Sequence, residues 1–189
     1  MGFALLLYRI DGDQHVESNR DGLNAFLKRR RMRMKIFPPT DSDRSSSAIL
    51  LNEDGSHVDI GGILDLHFSD VLEEEDKTMT AWLGHAHLTA DECDFIFDLC
   101  VSAGFVIANP QEDPSDIVPR GNHTAEQLRA IMESISSEAY QQQEIVVVNS
   151  GKELQAQLTG TFQDFLEWRD RVFAQQELNS SDSEAPPGA

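Results

Sequence analysis

Cations are scarce in this chain: its 189 residues hold 15 Lys and Arg against 33 Asp and Glu, a formal charge of −18 at pH 7. A surface of that sign repels phosphate backbones and anionic headgroups, so broad binding to nucleic acid or to an anionic lipid surface is disfavoured and a basic protein is the natural counterpart. Long hydrophobic runs are missing too. The longest, Phe3–Tyr8, falls far short of the roughly 20 apolar residues that span a bilayer as a helix. The stretch Met1–Ile10 carries only Arg9 as a cation and has no small-residue cleavage site, so no export signal is read and the expected setting is cytoplasmic. There are two cysteines, Cys93 and Cys100. Seven residues apart on one helix, they stand about 10 Å apart along its axis, beyond disulfide reach, and read as reduced core thiols. GxGxxG, GxSxG and HExxH are all missing. Asn149-Ser150-Gly151-Lys152 lacks the earlier glycine of a phosphate loop, Val146 standing in its place. No cofactor is implied.

Hydrophobic residues at 40% and charged residues at 25% are the proportions of a folded globular protein. The length fits one domain, residues 1–176, followed by a polar tail, 177–189, that reads as disordered. Phe3–Tyr8 runs apolar without alternation, the pattern of a central strand covered on both faces. A helix beginning near Arg20, with Leu23, Phe26 and Leu27 on one face, is expected to continue into the cationic block Lys28–Arg33 and to stop before Pro38 and Pro39. Asp54-Gly55 predicts a hairpin between Ala48–Asn52 and His57–Ile60. Strands follow near Asp65 and over Thr78–His87. Thr89 with Glu92 forms a capping-box pattern ahead of a helix whose stripe is Cys93, Ile96, Phe97 and Cys100, with Gly104 to end it. A short strand over Phe105–Ala108, a loop to Asn122, a helix opened by Thr124 and Gln127, a strand over Glu144–Val148 and a helical segment capped by Ser150 complete the pattern. The fold expected is α/β leaning to α+β, a mixed β-sheet of about five to six strands with a β-hairpin, packed by about four helices.

The most chemical-looking residues are His85 and His87. Alternate residues of a strand share a face, so two imidazoles there are spaced to share a metal, with His57, Asp65, His67 and Asp91 as candidate third ligands. The competing reading is a polar strand end before a helix cap. Cys93 sits where a helix dipole lowers a thiol pKa, yet it shares the apolar stripe, which argues for a buried structural thiol. The block Lys28–Lys35 makes residues 1–44 basic, nine cations against six anions, while the remainder holds six against 27.

Carboxylates dominate three stretches: Asp70, Glu73, Glu74, Glu75 and Asp76; Asp91, Glu92 and Asp94; and Glu112, Asp113 and Asp116. Placed on adjoining loops, they suit fast, electrostatically steered capture of a basic protein, with Trp82 or Trp168 as an aromatic anchor. The leading expectation is therefore a non-catalytic acidic binding protein that neutralises a basic protein partner, a toxin or nuclease-like enzyme. In general character it is similar to bacterial immunity proteins. Two alternatives stand beside it: a small metal-dependent or acid/base enzyme using His85 and His87, and a structural or adaptor subunit of a larger assembly.

Overall fold

The computed structural model describes residues 3–11, 14–40, 44–61, 65–72, 77–110, 114–121, 123–135 and 145–159. In chain order their elements are β1 (Phe3–Tyr8), β2 (Ile10–Asp11), β3 (Gln14–His15), α1 (Arg20–Arg29), β4 (Met32–Phe37), β5 (Ser47–Asn52), β6 (Asp65–Ser69) and β7 (Thr80–Ala86). Then come α2 (Ala90–Ala103), β8 (Val106–Ala108), β9 (Asp116–Pro119), α3 (Ala125–Ile135), β10 (Ile145–Val148) and α4 (Gly151–Thr159). Eight strands form one sheet in the order β10-β9-β8-β1-β7-β6-β5-β4, and β2 with β3 makes a small separate ribbon. Every neighbouring pair of the large sheet is antiparallel except β9 and β10, which are parallel. The result is a mixed sheet with four helices, an α+β fold.

The unbroken apolar run of β1 has a direct cause: the strand lies inside the sheet and both of its faces are covered. Leu5 and Leu7 are buried in a core shared with Leu23, Phe26 and Leu27 of α1, Phe95, Ile96 and Leu99 of α2, and Leu154 and Leu158 of α4. Leu6 and Tyr8 face the other way, into a smaller core with Val106, Val118 and Leu128 and Ile131 of α3. α1 comes so close to the end of α2 that a Cβ at Gly22 would collide with the Ser102 carbonyl oxygen. Three helices thus cover one sheet face, and α3 covers part of the other.

α2 begins as its sequence requires. The Thr89 hydroxyl accepts from the Glu92 backbone N–H at 3.3 Å, and Glu92 Oε2 accepts from the Thr89 N–H at 3.2 Å and the His87 N–H at 2.9 Å. Gly104, with φ of 73°, closes the helix in the left-handed conformation. Thr124 and Gln127 make the same reciprocal pair at the start of α3.

Four expectations need correction. The sheet has eight strands, not five to six. The first helix ends at Arg29; Arg31 turns the chain with φ of 55°, and the rest of the cationic block becomes β4. Its residues alternate, Met32 and Met34 packing on the core while Arg33 and Lys35 are exposed, so Pro38 and Pro39 end a strand rather than a helix. The expected hairpin keeps its turn, with the Asn52 N–H donating to the Ser56 carbonyl at 2.9 Å, but its second arm is a single bridge, Leu51–His57. The Pro- and Asp-rich loop contains β9, buried between β8 and β10. The tail 177–189 and the helical stripe beyond Gly160 lie outside the described residues.

Thr89→Ala removes one side of the α2 cap and is expected to cost about 1 kcal/mol in urea unfolding. Glu92→Ala is expected to cost more, because it strands the His87 and Thr89 N–H groups. Equal stabilities for wild type and both variants would show that the cap does not hold this helix.

Candidate functional site

Among the described residues, the second sheet face is covered only over β1 and β8–β10, by α3. Over β4–β7 the pairing register sets Lys35, Ile49, His67 and Trp82 opposite one another in one row, a row that continues onto Leu6 of β1. Neighbouring strand residues opposite each other share a face, so this row defines the open half of the sheet. Trp82, on β7 where this half borders β1, stands 44% exposed.

Beside Trp82 lies a carboxylate between two imidazoles. Asp65 Oδ1 is 2.5 Å from His67 Nε2, and Asp65 Oδ2 is 3.3 Å from His85 Nδ1. Gly84 lies between them: a Cβ there would stand at ordinary contact distance, 3.4 Å from Asp65 Oδ2 and 3.5 Å from Trp82 Nε1. Asp65, His67, His85 and Trp82 thus form one contiguous group.

His85 joins this group through a β-bulge. Phe3 and Leu5, two apart on β1, pair with Ala86 and Leu83, three apart on β7, and His85 carries φ of 55°. The extra residue breaks the alternation that would have placed His85 and His87 together. His87 lies past the strand end with its ring Nδ1 3.9 Å from Glu92 Oε1, so the two imidazoles face different carboxylates. Of the candidate third ligands, Asp65 and His67 stand by His85; His57 lines a small pocket with them, about 150 Å³ in volume; Asp91 is exposed in the first turn of α2. Among the described residues no group of three His, Cys, Asp or Glu side chains is arranged to hold a metal.

The described residues of the acidic stretches do not gather in one place. β6 and β7 pair Asp65 with Gly84 at one end and Ser69 with Thr80 at the other, so Asp70 and the start of α2 lie at opposite ends of the sheet. Asp70 is 3.7 Å from Lys77 Nζ. Asp91 and Asp94 are exposed, whereas Glu92 at 0% exposure is consumed by the helix cap and is not offered to a partner. Asp116, 6% exposed, is likewise an interior group: its carboxylate lies 3.4 Å from the Tyr8 hydroxyl, and burial raises its pKa above the usual carboxylate value. Glu73, Glu74, Glu75, Asp76, Glu112, Asp113 and Trp168 lie outside the described residues.

Glu53, Asp54 and Asp59 belong to no acidic stretch named from the sequence, yet they are exposed in the segment between β5 and β6, at the Asp65 end of the sheet. The Ser56 hydroxyl and backbone N–H both donate to Asp54 and hold its pKa below the usual value. The Asp-Gly turn signal marked this segment as a turn; nothing in it marked the neighbours it would have. The cationic block is divided in turn. Arg30 pairs with Asp98 at 2.7 Å and lies over the rings of Phe26 and Phe95, while Arg31, Arg33 and Lys35 are exposed along β4. Both cysteines are buried, and burial pushes the Cys100 thiol pKa far above its ordinary value.

Comparison with known proteins finds no family model that matches the chain, and no curated protein or solved structure significantly similar to it. Among the described residues no helix is long and apolar enough to cross a membrane.

Two outcomes follow from the buried groups. Asp116 has a raised pKa in the fold, so the native state holds its proton more tightly than the unfolded chain and stability falls as pH rises through that range. Asp116→Asn is expected to be more stable than wild type at pH 7, with the gap closing toward about pH 4, the unfolded carboxylate value; a gap independent of pH would contradict the assignment. Neither thiol is expected to react with an aromatic disulfide reagent until the protein is unfolded, and fast labelling of the native protein would show an open path to Cys93 or Cys100.

Proposed function

We propose that this chain is a non-catalytic binding protein that docks a basic protein partner on the open half of its sheet and neutralises it in the cytoplasm, as an immunity or inhibitor protein does. The observation that carries the reading is Trp82, 44% exposed on a stretch of sheet that no helix among the described residues covers. Apolar area of this kind is costly to leave in water, and a tryptophan ringed by polar groups is the usual composition of a binding hot spot. Asp65 adjoins it, and Asp54, Asp59 and Asp91 stand on segments that leave the same end of the sheet. The acidic contact of this reading lies at the Asp65 end of the sheet, with Asp91 common to it and to the stretches named from the sequence. A net charge of −18 accelerates encounter with a cationic partner and makes binding weaken as salt rises.

An acid/base enzyme is the second reading, favoured by the carboxylate that orients two imidazoles. The His85 side chain is 76% exposed, and the adjoining pocket of about 150 Å³ is well below the ~300 Å³ at which small-molecule sites begin. These dimensions favour the binding reading.

Affinity capture from native lysate at low salt, followed by salt elution and mass spectrometry, identifies the partner. Trp82→Ala is expected to weaken that complex by about 2 kcal/mol, some thirtyfold, without lowering the melting temperature. Replacing Asp54, Asp59 and Asp91 with Asn is expected to slow association and flatten its salt dependence. Undiminished binding by Trp82→Ala, or a captured partner that is not basic, would overturn the reading.

A further inference from the structure

β4 ends the large sheet, and among the described residues no strand pairs with its outer edge. In an antiparallel strand paired on one side only, alternate N–H and C=O groups point away from the sheet and remain available for another strand. The two faces of β4 differ in chemistry. Met34 and Ile36 point to the helix side, where with Leu23 and Leu27 of α1 and Met79 they line a groove of about 480 Å³. Ile36 remains 47% exposed at its mouth. Arg33, Lys35 and Phe37 alternate to the open face, with Lys35 Nζ 5.1 Å from the Phe37 ring centre, and Arg33 also borders the groove.

The charge along this edge opposes that of the chain as a whole. Lys28, Arg31, Arg33 and Lys35 are exposed, and among the described residues none of them is ion-paired. Glu53 is the one carboxylate lining the groove. Two copies of the edge would set these cations against their own counterparts, so the same charges that oppose self-pairing select a segment of opposite sign.

We propose that the free edge of β4 accepts an extended acidic segment of a partner protein as an added strand, whose apolar side chains enter the groove beside α1 and whose carboxylates meet Arg33 and Lys35. Backbone pairing supplies affinity, and the two-faced pattern of alternate side chains supplies specificity. Lys35 lies in the same cross-strand row as Trp82, three strands away, so the two surfaces share one face, but neither assignment depends on the other.

The test uses the full chain and a fluorescent eight-residue peptide that alternates Glu with Val, with anisotropy read at low salt. Saturable binding that weakens with salt is expected. N-methylation of one alternating set of peptide amides should abolish it, while N-methylation of the other set leaves it intact, because only one set faces the edge. Arg33→Glu combined with Lys35→Glu should weaken the Glu-Val peptide by about a hundredfold, as expected for two lost charge pairs, and should admit a Lys-Val peptide instead. Ile36→Ala should weaken binding without changing its salt dependence. The proposal is overturned by no binding at about 1 mM peptide, by equal affinity for the Lys-Val peptide in the wild type, by insensitivity to both sets of N-methyl groups, or by binding that emerges only after residues 177–189 are removed. The last would assign the edge to the chain's own acidic tail. Concentration-dependent dimerisation abolished by the double charge reversal would assign it to a second copy, and would overturn the proposal equally.

Discussion

Leu5 and Leu7 of β1, Leu66 and Phe68 of β6, and Ala81 and Leu83 of β7 are buried in one continuous core with α1, α2 and α4. This packing is the contact on which the remaining features depend, because it fixes the sheet and, through the Thr89–Glu92 cap, the point at which α2 leaves it. Apolar burial of this extent is the dominant favourable term in folding, and it is directed to one face. Among the described residues the other face has only α3, which reaches β1 and β8–β10 and not β4–β7. Among the described residues the open half-sheet follows from that placement of α3, and the free edge from β4 being the last strand of the sheet.

What the sequence made legible was local. Capping pairs are read over four residues, and both Thr89–Glu92 and Thr124–Gln127 appear where the spacing placed them. The central position of β1 was legible because burial on both faces leaves no polar positions. β4 was misread because lysine and arginine after a helical stripe resemble a helix end, although Met32, Met34 and Ile36 already alternated with Arg33, Lys35 and Phe37. β9 was hidden because its pairing with β10 joins residues about thirty apart, across α3. Nothing in the local pattern of Asp116–Pro119 announces such a partner.

The site was legible only in its parts. His85 and His87 were expected on one strand face, and the bulge divides them; Gly84 inside the strand was the signal that such a bulge was present. Asp65 and His67 emerged beside His85 through strand pairing, which no spacing rule foretells. The carboxylates divided by role as well as by place. Glu92 caps a helix and Asp116 lies in the interior, while Asp91 and Asp94 remain at the surface. A count of acidic residues cannot distinguish these, because burial depends on which side of an element a residue falls.

Two surfaces of opposite character share one sheet: an aromatic and acidic region around Trp82 and Asp65, and a cationic edge at Arg33 and Lys35. The most direct measurement of the central claim is hydroxyl-radical footprinting of the protein free and in complex with its captured basic partner, read by mass spectrometry at single residues. Trp82, His67 and His85 are expected to lose most of their reactivity in the complex while Met132 on α3 keeps its own. Unchanged reactivity at Trp82, with protection confined to other faces, would contradict it.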